Sequence, residues 1–128
     1  MLFRSSIKNS KAHKLEFRNQ TDTIYLTEDQ ISCAWPESNR HVCIHTADGR
    51  EFTTDMSIAS FCGTLSKYDN FILLASNTVL NMRHIQSISM FKVTMQYGKS
   101  FRLGFGEAKI LRKSVDACKE KPAQGEKA

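Results

Sequence analysis

Between Phe71 and Ile85 the chain reads Phe-Ile-Leu-Leu-Ala-Ser-Asn-Thr-Val-Leu-Asn-Met-Arg-His-Ile, two apolar runs separated by the small polar step Ala75-Ser76-Asn77. Unpaired amides and hydroxyls are costly in a core, so the step belongs at the surface and the runs on either side belong inside. A loop held by rigid neighbours is a good seat for recognition residues. Asn81, set between apolar residues and a turn, reads as structural, a side chain that satisfies loop carbonyls.

The rest of the chain reads mostly as strands. Leu15-Glu16-Phe17, Thr23 to Leu26, and Ile31 to Trp35 are apolar clusters, and Pro36 to Asn39 supplies a turn. His41 to Thr46 alternates, and Asp48-Gly49 is a strong hairpin signal with Arg50 to Thr54 as its return strand. Ile58, Phe61, Cys62 and Leu65 fall at i, i+3, i+4 and i+7, which predicts an amphipathic helix over Ser57–Lys67 with Asp55 or Ser57 as its cap. Beyond the polar step, strands are expected over Ile85–Phe91, Lys92–Tyr97 and Ser100–Leu103, with a turn at Tyr97-Gly98-Lys99. After Gly104-Phe105-Gly106 a short helix is expected from Glu107 to about Cys118. The domain reading is a basic arm over 1–14, one folded domain over 15–115 and a disordered polar tail over 116–128.

The 128 residues suffice for one domain with its own core. No apolar run is long enough to span a membrane, and no apolar signal-peptide core opens the chain, so a cytoplasmic location without membrane insertion is expected. Cys33, Cys43, Cys62 and Cys118 lack CxxC spacing and read as reduced thiols. The net charge of +5 is unevenly spread. Residues 1–20 carry five bases against one acid, residues 21–60 two against seven, and residues 61–113 eight against two. That distribution suits a polyanion met on one side, or a solubilising surface without a partner.

These elements, in this order, resemble the LytTR family, DNA-binding domains found mostly at the C-termini of bacterial response regulators. The resemblance covers about residues 14–113. The family pattern Phe-x-Arg-x-His-[polar]-Ser-x-x-Val-Asn-x-x-x-Ile is met by Phe71, Asn81 and Ile85, with Val79 and Leu80 apolar; Leu73, Ala75 and Asn77 replace the Arg, His and Ser. The resemblance implies a mainly β fold, an elongated antiparallel β-sandwich of small sheets with one packed helix and a short C-terminal helix. It also implies loops, rather than a recognition helix, in successive major grooves of double-stranded DNA. The implied contacts are Arg40 and His41 in a first loop and Ser76 and Asn77 in a second. The third loop, often Ser-Arg in the family, is Gly104-Phe105-Gly106 here, without a base-reading Arg.

Side-chain chemistry fits parts of that scheme. Arg40 suits guanine O6 and N7, and Asn77 suits adenine N6 and N7, pairs worth about 1–3 kcal/mol of discrimination each. Asn77 also suits a turn in which it bonds its own backbone. Lys92, Lys99, Arg102, Lys109, Arg112 and Lys113 are candidates for phosphates. Arg83 and His84 read equally as exposed turn residues or phosphate contacts, and Trp35 as a core or strand-end aromatic.

The expected function is that of a stand-alone bacterial transcription regulator, bound as two copies, a homodimer on DNA, to direct repeats, with neither metal nor other cofactor. Two other readings compete. His41, Cys43 and His45 share one strand face, a spacing that could begin a zinc site or a thiol–imidazole pair, but neither a fourth ligand nor an orienting acid is evident, and no catalytic role is expected. Alternatively, Leu73, Ala75 and Phe105 trade polar contacts for apolar surface, which would suit a regulatory protein-protein interaction module with weak DNA readout.

Overall fold

The structure, a computed structural model, describes residues 13–120. The first twelve residues of the expected basic arm and residues 121–128 of the expected tail lie outside the described residues. Among the described residues, three small antiparallel sheets and two α-helices, with short 3-10 turns between strands, make up the fold. Strands β1 (Lys14–Arg18) and β2 (Thr23–Thr27) pair as a hairpin. Next, β3 (Ile31–Ser38), β4 (His41–Thr46) and β5 (Glu51–Thr54) meander, and β6 (Phe71–Leu73) and β7 (Val79–Asn81) return beside β3, giving the order β5-β4-β3-β7-β6. The third sheet holds β8 (Ile85–Ile88), β9 (Lys92–Met95) and β10 (Ser100–Arg102) in the order β10-β9-β8.

Local chemistry explains most element ends. Gly49 closes the β4–β5 turn at φ 93°, where other residues are strained. Helix α1 (Ile58–Thr64) starts at Ser57, whose Oγ accepts from the Ser60 N–H at 3.1 Å, so Ser57 is the cap. The helix stops three residues short of the expected Lys67. Leu65 leaves helical geometry, and tight turns through Ser66 and Tyr68 carry the chain to Asn70, whose side chain is buried against Asn81. The expected strand over Ile85–Phe91 ends early, at Ile88, because the Ser89 N–H bonds the Lys92 carbonyl at 2.8 Å and closes a turn. Helix α2 (Glu107–Glu120) runs into the segment expected as tail, so residues 116–120 are helical. Ala108, Leu111 and Val115 form one apolar stripe along α2 that packs on the core and anchors the helix as far as Val115.

The five-stranded sheet is buried on both faces. Ile31, Ala34, Val42, Ile44 and Val79 face Leu15, Phe17 and Leu26 of the hairpin and Phe61 and Leu65 of the α1 region. On the other face Cys33, Leu74 and Leu80 meet Val93, Met95 and Leu103 of the third sheet with Ala108 and Leu111 of α2. Adjacent residues Val79 and Leu80 thus serve opposite cores, as the two-residue strand period requires.

Asn81 joins the pieces. It is fully buried; its Nδ2 donates to the Ile31 carbonyl at 2.9 Å and the Glu28 carbonyl at 3.4 Å, while its Oδ1 accepts from Asn70 Nδ2 and the Arg83 N–H, both at 3.0 Å.

Candidate nucleic-acid interface

Strand register sets which loops share an end of the molecule. Ser38 pairs with His41, Leu73 with Val79, and Ala34 lies opposite both Ile44 and Val79. The β3–β4 turn and the loop 74–78 therefore leave the central sheet on the same side. A shallow cleft there brings Ser38 and Asn39 beside Asn77 and the first residues of α1. The turns at Glu28–Gln30, Asp48-Gly49 and Met82–His84 lie at the opposite end.

In the second loop the Asn77 N–H bonds the Leu74 carbonyl and the Leu74 N–H bonds the Thr78 carbonyl, both at 2.8 Å. Asn77 sits at φ 70°, a left-handed conformation that Asn tolerates better than most residues. Its backbone role is thus plain, and its exposed side chain remains at the tip. Ser76 Oγ is 3.1 Å from Thr78 Oγ1.

The third loop meets the second through one carboxylate. Glu107, the first residue of α2, accepts from the Ala75 N–H through Oε2 at 2.7 Å and from the Gly104 N–H through Oε1 at 2.8 Å. Gly104 and Glu107 also share a backbone bond at 3.1 Å, which closes a turn just before the helix while the carboxylate reaches across to another loop. Phe105, between Gly104 and Gly106, is 96% exposed.

At the first loop His41 is held on both ring nitrogens. Nδ1 lies 2.7 Å from Ser38 Oγ, and Nε2 lies 3.4 Å from an Asp55 carboxylate oxygen. Arg40 is exposed in the same turn. With Glu37 and Asp55 nearby, this side of the end is the more acidic. The bases cluster nearer the third loop: Arg102 lies opposite Lys92 across β9–β10, and Lys109 follows on the first turn of α2. Like charges directly opposite repel, and an anion laid between them relieves that repulsion.

The other expected phosphate contacts are dispersed. Lys99 is engaged, with Nζ 2.9 Å from Glu51 and 5.0 Å from the Trp35 ring centre, although it borders a recess that also holds Ser76 and Thr78. The Glu51 carboxylate raises the Lys99 pKa, and Lys99 lowers that of Glu51. Arg112 reaches back to the Ile88 carbonyl at 3.3 Å and lines a broad cleft between α2 and β8. Arg83 stands at the far end of the sheet, 3.5 Å from Glu28, and His84 Nε2 lies 2.8 Å from the Asp29 carbonyl.

The strand face with Cys43 and His45 turns inward instead. Burial pushes the Cys33 thiol up to about 12 and the Cys43 thiol up to about 11, far from the thiolate that nucleophilic chemistry needs. His45 is buried with neither ring nitrogen hydrogen-bonded, and Glu51 stands 3.7 Å away. Among the described residues no group of three or more His, Cys, Asp or Glu side chains is arranged to hold a metal ion. Nor is any helix among them long and apolar enough to cross a membrane.

Sequence reasoning found the second loop and the Gly-Phe-Gly step but missed Glu107 as their tie and Asp55 as the partner of His41. An acid opening the helix directly after the glycine step was the available signal for the first, since a carboxylate there faces free N–H groups. No local signal pairs His41 with Asp55.

Neither family models nor curated protein sequences give a match. Among solved structures, the chain is similar to the LytTr DNA-binding domain of a methyl-accepting/DNA response regulator from Bacillus cereus, with a TM-score of 0.62 and 18% identity over 80% of this chain and 95% of that one. The likeness shows a LytTR-type fold.

Proposed function

We propose that this LytTR-type domain binds double-stranded DNA sequence-specifically and regulates transcription, inserting loops into successive major grooves. The observation that carries the reading is the gathering of three loops at one end, two of them tied through Glu107. Arg40, His41, Ser76 and Asn77 are the base readers in this scheme, with Lys109 and Arg102 on phosphates and Lys99 and Arg112 at the margins. Arg83 is left out, since it is paired at the far end. His41 reads a base only by giving up one of its present partners, Ser38 or Asp55. The domain works in the bacterial cytoplasm, two copies on a direct repeat. Selection of retained duplexes from a random pool, followed by titration at several salt concentrations, tests this. Tight, sequence-selective, salt-sensitive binding supports it, and weak binding indifferent to sequence overturns it.

A second reading, a protein-interaction module on the same frame, is favoured by the exposed apolar side chains Leu73, Phe91 and Phe105. Unselective, feeble DNA binding by a well-folded protein is the outcome it expects.

A further inference from the structure

We propose that Phe105, with Ala75 beside it, is an apolar base reader that recognises the 5-methyl group of thymine in the major groove. The inference rests on the DNA-binding reading above and assigns chemistry to the third loop, where a polar reader is absent.

Four observations converge. Phe105 is the most exposed large apolar residue among the described residues, at 96%, so nothing in the fold uses its ring. Its loop is nonetheless ordered by bonds: the Gly104 N–H is held by Glu107, the Leu103 N–H bonds the Phe91 carbonyl at 2.8 Å, and Gly106 takes φ 81° to turn the chain into α2. With the backbone braced, only the two side-chain torsions of Phe105 remain to be fixed on binding. The same carboxylate grips the Ala75 N–H, which sets the exposed Ala75 methyl and the Phe105 loop within one carboxylate's reach. Finally, the loop is flanked by bases, with Arg102 opposite Lys92 before it and Lys109 after it, and Glu107, the acid between them, has both oxygens committed to N–H groups.

An exposed aromatic ring amid cations suits a polyanion that carries apolar groups. Thymine offers such a group in the major groove, and Ala and Phe are among the side chains that contact it. A protein partner fits less well, because a stable protein interface needs a broad apolar centre depleted of charge, whereas Arg102 with Lys92 opposite it precedes this loop and Lys109 follows it.

The test uses a duplex recovered from the random-pool selection, with each thymine replaced in turn by uracil, which removes only the 5-methyl group. Titrations compare the natural chain with Phe105→Ala and Phe105→Leu. Phe105 is almost wholly exposed, so both variants fold, as circular dichroism will show. One or two uracil positions should weaken binding by the natural chain about fourfold each, the worth of one buried methyl group. Phe105→Ala should bind the thymine duplex more weakly and no longer distinguish uracil at those positions, while Phe105→Leu keeps most of the distinction. Selective binding by the natural chain with no response to uracil anywhere overturns the thymine assignment and leaves DNA binding standing. A Phe105→Ala chain that binds as the natural one does, or still distinguishes uracil, also overturns it. Failure of the natural chain to select any duplex overturns both.

Discussion

The carboxylate of Glu107 accepts the backbone N–H of Ala75 at 2.7 Å across 32 residues of sequence, and through its other oxygen it holds Gly104 at 2.8 Å. Two loops of different sheets are thereby fixed against each other by a single side chain. Glu107→Ala should release both. Amide exchange at Ala75 and Gly104 should accelerate at least tenfold, with global stability down by about 1 kcal/mol, the scale of a lost cap. Hydrogen exchange read residue by residue checks this, and unchanged protection at both amides would show that the loops are held by other means.

Asn81 should be among the least replaceable side chains. Asn81→Ala orphans the Asn70 amide, the Arg83 N–H and the Ile31 carbonyl at once, and at 1–3 kcal/mol for each buried group left unpaired the loss should reach about 3 kcal/mol or more. Asn81→Asp should fare no better, since it sets a carboxylate oxygen against the Ile31 carbonyl where an amide donated. Urea unfolding measures both.

Asn77 carries a backbone role and a proposed base contact on one residue, and two substitutions separate them. Asn77→Gly keeps the left-handed conformation at φ 70° and removes the side chain; Asn77→Ala removes the side chain and adds strain. Stability should be nearly unchanged in the glycine variant and about 1 kcal/mol lower in the alanine variant. If Asn77 reads a base, both variants should relax selectivity at the same single position of the selected site, by roughly tenfold.

The basic residues should differ in their effect on salt dependence. Lys109→Ala should weaken binding to all duplexes alike and reduce the magnitude of the salt slope by about one. Lys99→Ala should change it less, because Glu51 already balances that charge at 2.9 Å. Arg83→Ala, at the far end of the sheet, should leave affinity and slope unchanged. A large loss for Arg83→Ala would mean that DNA meets a different face.

His45 predicts a pH effect on stability with a definite sign. Burial, followed by the nearby Lys99, lowers its pKa from the ordinary 6.5. The unfolded chain therefore takes up this proton at a higher pH than the folded one. The contribution to stability is complete above pH 6.5 and declines as the pH falls from there to the lowered folded value. Comparing urea midpoints at neutral pH and about one and a half units lower, in the natural chain and in His45→Gln, should show a smaller drop in the variant.

The parts of the fold legible in the sequence were those written at short range. The stripe Ile58, Phe61, Cys62, Leu65 located α1, Asp48-Gly49 located a hairpin, and the polar step at Ala75–Asn77 became a loop between strands. Ends were read less well. Helix α1 stops at Thr64 because Asn70 must reach Asn81, and α2, anchored on the core by Ala108, Leu111 and Val115, propagates beyond that anchor to Glu120. Neither cause is visible in a window of a few residues.

What the sequence determined by itself was which segments could bury a face and which could turn, since side-chain period and glycine stereochemistry are local properties. Tertiary structure decided what each charged or polar group was free to do. Asp55 faces His41, Glu51 occupies Lys99, and Glu28 pairs with Arg83. Glu107 spends both oxygens on two loops, leaving Phe105 bare at the tip. These pairings follow from strand order and from the packing of two cores on one sheet, and they reach across separations that periodicity does not encode.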